Sequence, residues 1–151
     1  MKKLTMLAVG VVSAAVVFSA PAAHAREITP DHEIAYALEQ VPDGYATSEH
    51  TASWPRIGME MVSSLAITSF AVGSCATGAI CAYSGYSLTG SKLSWSSCST
   101  YSTAALPSVG SIANARSSGT LRARNGTTVV ATAGAGGQAN VWSAVTNVQC
   151  S

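Results

Sequence analysis

The chain has 151 residues and a formal net charge of +1, with only 10% charged residues against 48% hydrophobic ones. That length suits one modest domain with an extension. Its few dispersed basic residues fall short of the dense positive patch that a phosphate backbone requires, so no nucleic-acid partner is expected. Charge is segregated along the chain: all seven carboxylate side chains lie between Glu27 and Glu60. Beyond Met61 the only charged side chains are Lys92, Arg116, Arg122 and Arg124, and there is no histidine.

At the start, Met1-Lys2-Lys3 is a basic head, Leu7 to Phe18 is apolar, and Ala23-His24-Ala25 has the A-x-A form of a cleavage site. This pattern predicts a signal peptide over residues 1–25 and an extracellular protein. The apolar run is shorter than the ~20 residues that span a bilayer, and no cysteine follows the cleavage site, so no stable membrane anchor is expected. Export places the four cysteines, Cys75, Cys81, Cys98 and Cys150, in an oxidising space where two disulfides are the default. Zinc is the alternative, but no histidine lies near them and the spacing does not suit a ribbon.

Residues 26–72 read as an acidic extension, with two positive against seven negative side chains over Arg26–Met61. Thr29-Pro30-Asp31 opens a helix, with Thr29 as N-cap and Pro30 at the first helical position. Ile34, Ala37, Leu38 and Val41 share one face, and Pro42-Asp43-Gly44 stops the helix. So short a helix cannot stand alone. It is expected to dock through Ile34, Leu38 and Val41, the alternative being a mobile acidic spacer. Ser53 to Gly58 reads as a turn and Met59 to Val72 as a strand with Met59, Met61, Leu65 and Ile67 on one face. The two methionines are read as core packing.

Residues 73–151 are rich in Ser, Thr, Gly and Ala, with short strand candidates between turn signals, which is an all-β pattern. Its centre is Cys75 to Cys98. Ala79–Tyr83 and Ser91–Trp95 read as the arms of a hairpin, with Ser84–Gly90 folding over between them. A tyrosine ring at Tyr83 can lie over the fold, and Gly90 permits positive φ. Gly90–Trp95 is echoed by Gly137–Trp142 at an offset of 47, which aligns Ile80–Tyr83 with Thr128–Val130 and suggests a doubled unit. Asn125-Gly126-Thr127 is formally a glycosylation sequon but is read as a hairpin turn.

Two resemblances rest on these residues. Tyr83-x6-Gly90, with Ser117 and Ser118 some 27 residues beyond the glycine, resembles the Greek-key motif of βγ-crystallins. Cys75-x5-Cys81 enclosing Gly78 and followed by Ala82-Tyr83 resembles peptidase inhibitor family I36, the Streptomyces metalloproteinase inhibitor group of secreted actinobacterial proteins. The similarity covers roughly Ser74 to Trp142. It implies a βγ-crystallin-like double Greek-key sandwich or barrel preceded by a short helix and a strand or hairpin. It also implies a monomeric inhibitor that blocks the cleft of a secreted proteinase, a bacterial metalloproteinase above all, with a rigid loop. No reactive-site residue carries over. Turn composition alone offers Ser84–Thr89, Thr103–Val109 and Ala133–Gln138 as presenting loops.

Catalytic chemistry is not expected. The β region has serines but no His, Asp or Glu to activate one, and a triad would have to borrow His32 or His50, both read as solvated. Asn114 to Ser118 fits the frame of a crystallin calcium site, but Ala113 replaces the first ligand and Arg116 adds a positive charge, so neither metal nor cofactor is expected. Tyr83, Tyr86, Trp95, Tyr101 and Trp142 are read as core and motif rings, with Tyr86 the one expected at the surface. Two other functions remain open: a crystallin-fold killer-type toxin and a cell-envelope or polysaccharide-binding module. Four cysteines allow three connectivities. Cys75–Cys81 with Cys98–Cys150 is the expected one, the first because it is local and Gly78 lets its loop close.

Overall fold

The computed structural model describes residues 27–66 and 75–151. The predicted signal peptide and the Ile67–Val72 part of the predicted strand lie outside the described residues. One helix, α1 (His32–Gln40), is followed by β1 (Tyr45–Ser48), β2 (Thr51–Trp54), a 3-10 turn over Pro55–Ile57, and β3 (Met59–Val62). Then come β4 (Ile80–Tyr83), β5 (Lys92–Trp95), β6 (Thr100–Ser102), β7 (Ser111–Asn114), β8 (Thr120–Asn125), β9 (Thr128–Gly134), β10 (Gln138–Asn140) and β11 (Asn147–Cys150).

These strands make two antiparallel sheets, one ordered β1-β2-β3-β5-β4-β7-β10 and the other β6-β11-β8-β9. The fold is an all-β sandwich with one short helix. Strands β4–β7 and β8–β11 occupy matching positions. In each set the fourth strand returns beside the first and the third crosses into the opposite sheet. This connectivity corrects the expected echo: the counterpart of β4 is β8, not the Thr128–Val130 segment, which begins β9. The 47-residue offset matched two similar strings that lie on non-equivalent strands. Asn125 pairs with Thr128 across a tight turn in which Gly126 has φ 59°, so Asn-Gly acts as the hairpin turn its composition suggests.

Alternation explains most of the core. Ile80 and Ala82 of β4, Leu93 and Trp95 of β5, and Ile112 of β7 bury their side chains in one cluster with Leu121, Ala123, Val148 and Cys150 of the other sheet. Unusually for an antiparallel strand, β4 is buried on both faces: Cys81 and Tyr83 pack with Ala113 in a second cluster on the outer side. Cys98 is bonded to Cys150, joining the segment after β5 to the end of β11 across 52 positions of sequence. In the chain-entropy account a loop that long contributes about 4 kcal/mol.

The acidic extension is part of this sandwich. Met59 to Val62 pair antiparallel with Trp95 to Lys92, so β3, β2 and β1 continue the larger sheet. Ala52, Trp54, Met59 and Met61 point into the main core, which is the packing role expected of the methionines. The predicted strand is shorter than expected: after Val62 the chain turns, and Leu65 is 39% exposed. Ser53 and Trp54, expected in a turn, close β2 instead, because Trp54 buries its indole and donates its Nε1–H to the Val41 carbonyl at 2.8 Å. Ile34 and Ala37 of α1 are fully buried and Leu38 and Val41 partly so. The apolar face of the helix therefore closes the core beside β1 and β2.

The cap of α1 also differs from expectation. Asp31, not Thr29, is the N-cap; its Oδ1 accepts from the Glu33 and Ile34 amides, each at 2.9 Å. Oδ2 accepts from the buried Ser63 hydroxyl and faces His50 Nδ1 at 2.7 Å. One carboxylate thus joins the helix start, the β1–β2 turn and the end of β3. Burial pushes its pKa up, but the bonds from Ser63, His50 and the two amides outweigh that and hold it below the ordinary value. A depressed folded-state pKa gives stability that is present above the unfolded value near ~3.9 and is lost as pH falls through the folded value. Asp31→Ala is expected to cost ~1–3 kcal/mol in urea unfolding at neutral pH, from the lost cap and the stranded Ser63 hydroxyl. Asp31→Asn is expected to flatten the acid limb of the wild-type stability curve; an unchanged limb would assign that limb to other carboxylates.

Candidate functional site

Two surface features of opposite character sit at the two ends of β4. Both arise from covering its outer face.

At the Tyr83 end, the hairpin between β4 and β5 folds back over the sheet. Tyr83 is fully buried beneath it, and burial pushes its phenol up to about 12. Gly85 N–H donates to the Thr89 carbonyl at 2.9 Å, and Ser91 N–H donates to Ser84 Oγ at 2.8 Å. Gly90 adopts φ 76°, and a β-carbon there would sit 2.2 Å from Ser84 Oγ, so only glycine fits. The residue that clamps the fold is Ser111, the first of β7. Its hydroxyl donates to the Gly85 carbonyl at 2.7 Å and accepts from the Leu88 amide at 3.0 Å. The expected serines, Ser117 and Ser118, are instead exposed in the β7–β8 connection, far along the strand from the hairpin. A spacing count alone could not choose among so many serines; strand pairing does, since it sets the buried Ser111 opposite Tyr83.

Two of the three loops expected to present a surface meet at this end. Ser84–Thr89 lies beside the Thr103–Val109 segment that enters β7 and beside the 141–145 segment that leaves β10. The third, Ala133–Gln138, lies at the opposite end, because β9 and β10 reverse there. Tyr86 and Trp142 stack at the loop end with ring centroids 4.5 Å apart. Trp142, expected in the core, is 76% exposed, whereas Trp54 and Trp95 are each 1% exposed.

At the other end, Cys75 is bonded to Cys81, closing a small loop. Ala76, Thr77 and Gly78 are exposed, with Gly78 at φ 85°. The loop base is bonded to the end of β7: Gly78 N–H to the Ala115 carbonyl at 2.8 Å, Ala115 N–H to the Ala79 carbonyl at 3.0 Å. Arg116 adds a guanidinium bond to the Gly78 carbonyl at 3.0 Å. A groove of about 480 Å³ runs alongside, lined by Ala76–Ala79, Glu60 and Ser94 among others. This stapled loop was absent from the turn-based candidates, although Cys-x5-Cys with an inner glycine was the signal for it.

The remaining residues take structural positions. Asn114 is buried, donates to the Gly119 carbonyl at 3.2 Å and accepts from the Arg116 amide at 3.2 Å, so it shapes the β7–β8 turn. His50 is not free in solvent as expected but faces Asp31. Ser63, His50 and Asp31 do not reproduce a triad, because the carboxylate, not the imidazole, stands between the other two. Among the described residues, no three or more His, Cys, Asp or Glu side chains group to hold a metal ion, and no helix is long and apolar enough to cross a membrane.

No protein-family model, curated protein or solved structure matches the chain.

The Ser111 clamp is open to a direct test. Ser111→Ala strands the Leu88 amide and the Gly85 carbonyl and is expected to destabilise the protein by ~1–3 kcal/mol in urea unfolding. Ser117→Ala and Ser118→Ala are expected to stay within ~0.5 kcal/mol of wild type. Equal losses from all three would mean the hairpin is held by something other than Ser111.

Proposed function

We propose that the protein is a secreted proteinase inhibitor that presents the Cys75–Cys81 loop to an active-site cleft. The two disulfides suit an oxidising, extracellular setting. The observation that carries the reading is a short exposed loop whose backbone is held at both ends. A disulfide joins the loop ends, and hydrogen bonds to β7 and Arg116 fix its carbonyls. Such a loop loses little conformational freedom on entering a cleft, so more of the contact energy appears as affinity. A cleaved peptide bond inside it would also leave both fragments joined through the disulfide and the β7 contacts, which favours religation over release. The resemblance of the Cys75–Tyr83 stretch to family I36 points to metalloproteinases as the target class. The three loops favoured by turn composition have no disulfide within them, which is why the stapled loop is preferred.

The mature protein is expected to inhibit at least one secreted bacterial metalloproteinase with one-to-one stoichiometry in a panel of metallo- and serine proteinases. Thr77→Pro should weaken that inhibition at least ~10-fold, and the Cys75→Ser/Cys81→Ser pair should turn the loop into a substrate cleaved between Ala76 and Ala79. Failure of the wild-type protein against the whole panel overturns the reading, and suppression of bacterial growth in its place would favour a toxin.

A further inference from the structure

The pair Tyr86–Trp142 has no part in the core, yet it is built with care. Trp142 is 76% and Tyr86 49% exposed, and their planes lie within 28° of each other. Each ring sits on a segment held from below. Ser87 N–H donates to Asn140 Oδ1 at 2.8 Å, which joins the hairpin loop to β10 two residues before Trp142. Val141 N–H donates to the Gly110 carbonyl at 2.8 Å, and Thr103 Oγ1 to the Val145 carbonyl at 3.2 Å. The close approach of Gly110 to Gly85, where a β-carbon would lie 2.5 Å from backbone, keeps the two loops in contact. Ser87 and Leu88 take positive φ, 52° and 61°, a conformation that non-glycine residues adopt only under outside constraint.

Beside the rings lies a groove of about 450 Å³, within the range of small-ligand sites. Its lining includes Ser84, Ser108, Ser143, Pro107, Val109 and Gly110, and no lining residue carries a charge. The chemistry of such a surface is specific. Exposed ring faces take flat apolar faces; serine hydroxyls take hydroxyls; the lack of charge selects against ionic ligands. Stacked nucleic-acid bases would need a positively charged track for the backbone, and none lines this groove. A pyranose ring satisfies all the conditions, with its C–H face on the aromatic ring and its hydroxyls directed at the groove.

We propose that Tyr86, Trp142 and the adjoining groove form a binding site for a neutral polysaccharide. The site lies at the opposite end of β4 from the Cys75–Cys81 loop, so occupancy of one leaves the other free. A chain that grips a glycan matrix through one end would hold its other end at that surface.

The test uses the full mature protein with microcrystalline cellulose, chitin and a soluble neutral β-glucan, and alginate as the anionic control. Retention on at least one neutral glycan is expected, with no loss in 1 M NaCl. Trp142→Ala and Tyr86→Ala should each lower it at least ~10-fold while leaving the melting temperature and proteinase inhibition unchanged. Because the other two tryptophans are buried, a ligand-induced blue shift in tryptophan emission reports Trp142 alone. It should appear with the bound glycan and vanish in Trp142→Phe. Absence of retention on all three neutral glycans, retention indifferent to both substitutions, or retention on alginate abolished by salt would each overturn the proposal. So would a blue shift caused by a proteinase and by none of the glycans, which would make the rings part of a protein contact.

Discussion

Strand β4 must be covered on both faces, and most of the architecture follows from that. Ile80 and Ala82 meet the opposite sheet, as any sandwich strand would. Cys81 and Tyr83 point the other way and are equally buried. In a two-layer domain nothing lies on that side except what the chain folds back onto it. The protein uses two devices: the disulfide loop over Cys81, and the folded hairpin with its Ser111 clamp over Tyr83. Both candidate surfaces are outgrowths of this one packing requirement, which is why they stand at opposite ends of the same strand.

The extension answers a related problem. Seven strands stand against four, so the smaller sheet cannot cover the whole of the larger one. Helix α1 supplies the missing cover with Ile34 and Ala37. Nine residues of helix would not persist alone. Here the stability comes from tertiary burial, with the Asp31 carboxylate fixing where the helix begins. Exposed ion pairs are worth only ~0–1 kcal/mol each, and the exposed pair Asp43–Arg56 lies within the acidic segment itself, so charge contributes less to docking than this burial does.

The two ends of β4 are held rigid by different means. The small loop is closed covalently, and a loop of its size contributes about 2 kcal/mol in the chain-entropy account. The aromatic end has no disulfide within it and relies on side-chain-to-backbone bonds from Ser84, Ser111 and Asn140. Under the proposed function, a covalent staple would let the loop resist cleavage in a proteinase cleft. The network of hydroxyl and amide bonds holds the loops that carry the stacked Tyr86 and Trp142 rings, whose planes lie 28° apart.

The local chemistry of the chain was readable without a structure. Short strand candidates separated by turn signals in residues 75–151 determine an all-β domain, because no segment there is free of Gly, Ser or Thr breaks for long enough to form a helix. The hairpin arms, the Gly90 turn and the Asn125-Gly126 turn follow from backbone conformations that few residues tolerate. The apolar face of α1 follows from its spacing. Tertiary structure decided what depends on partners distant in sequence. Thr29 and Asp31 are both good caps, and the choice fell to Asp31 because Ser63 and His50 converge on it from 32 and 19 residues away. Ser111, rather than Ser117 or Ser118, became the clamp because strand pairing sets it opposite Tyr83. Trp95 is buried and Trp142 exposed although their local strings look alike. The first stands on a strand between two neighbours, and the second follows an edge strand, where no further strand remains to cover it.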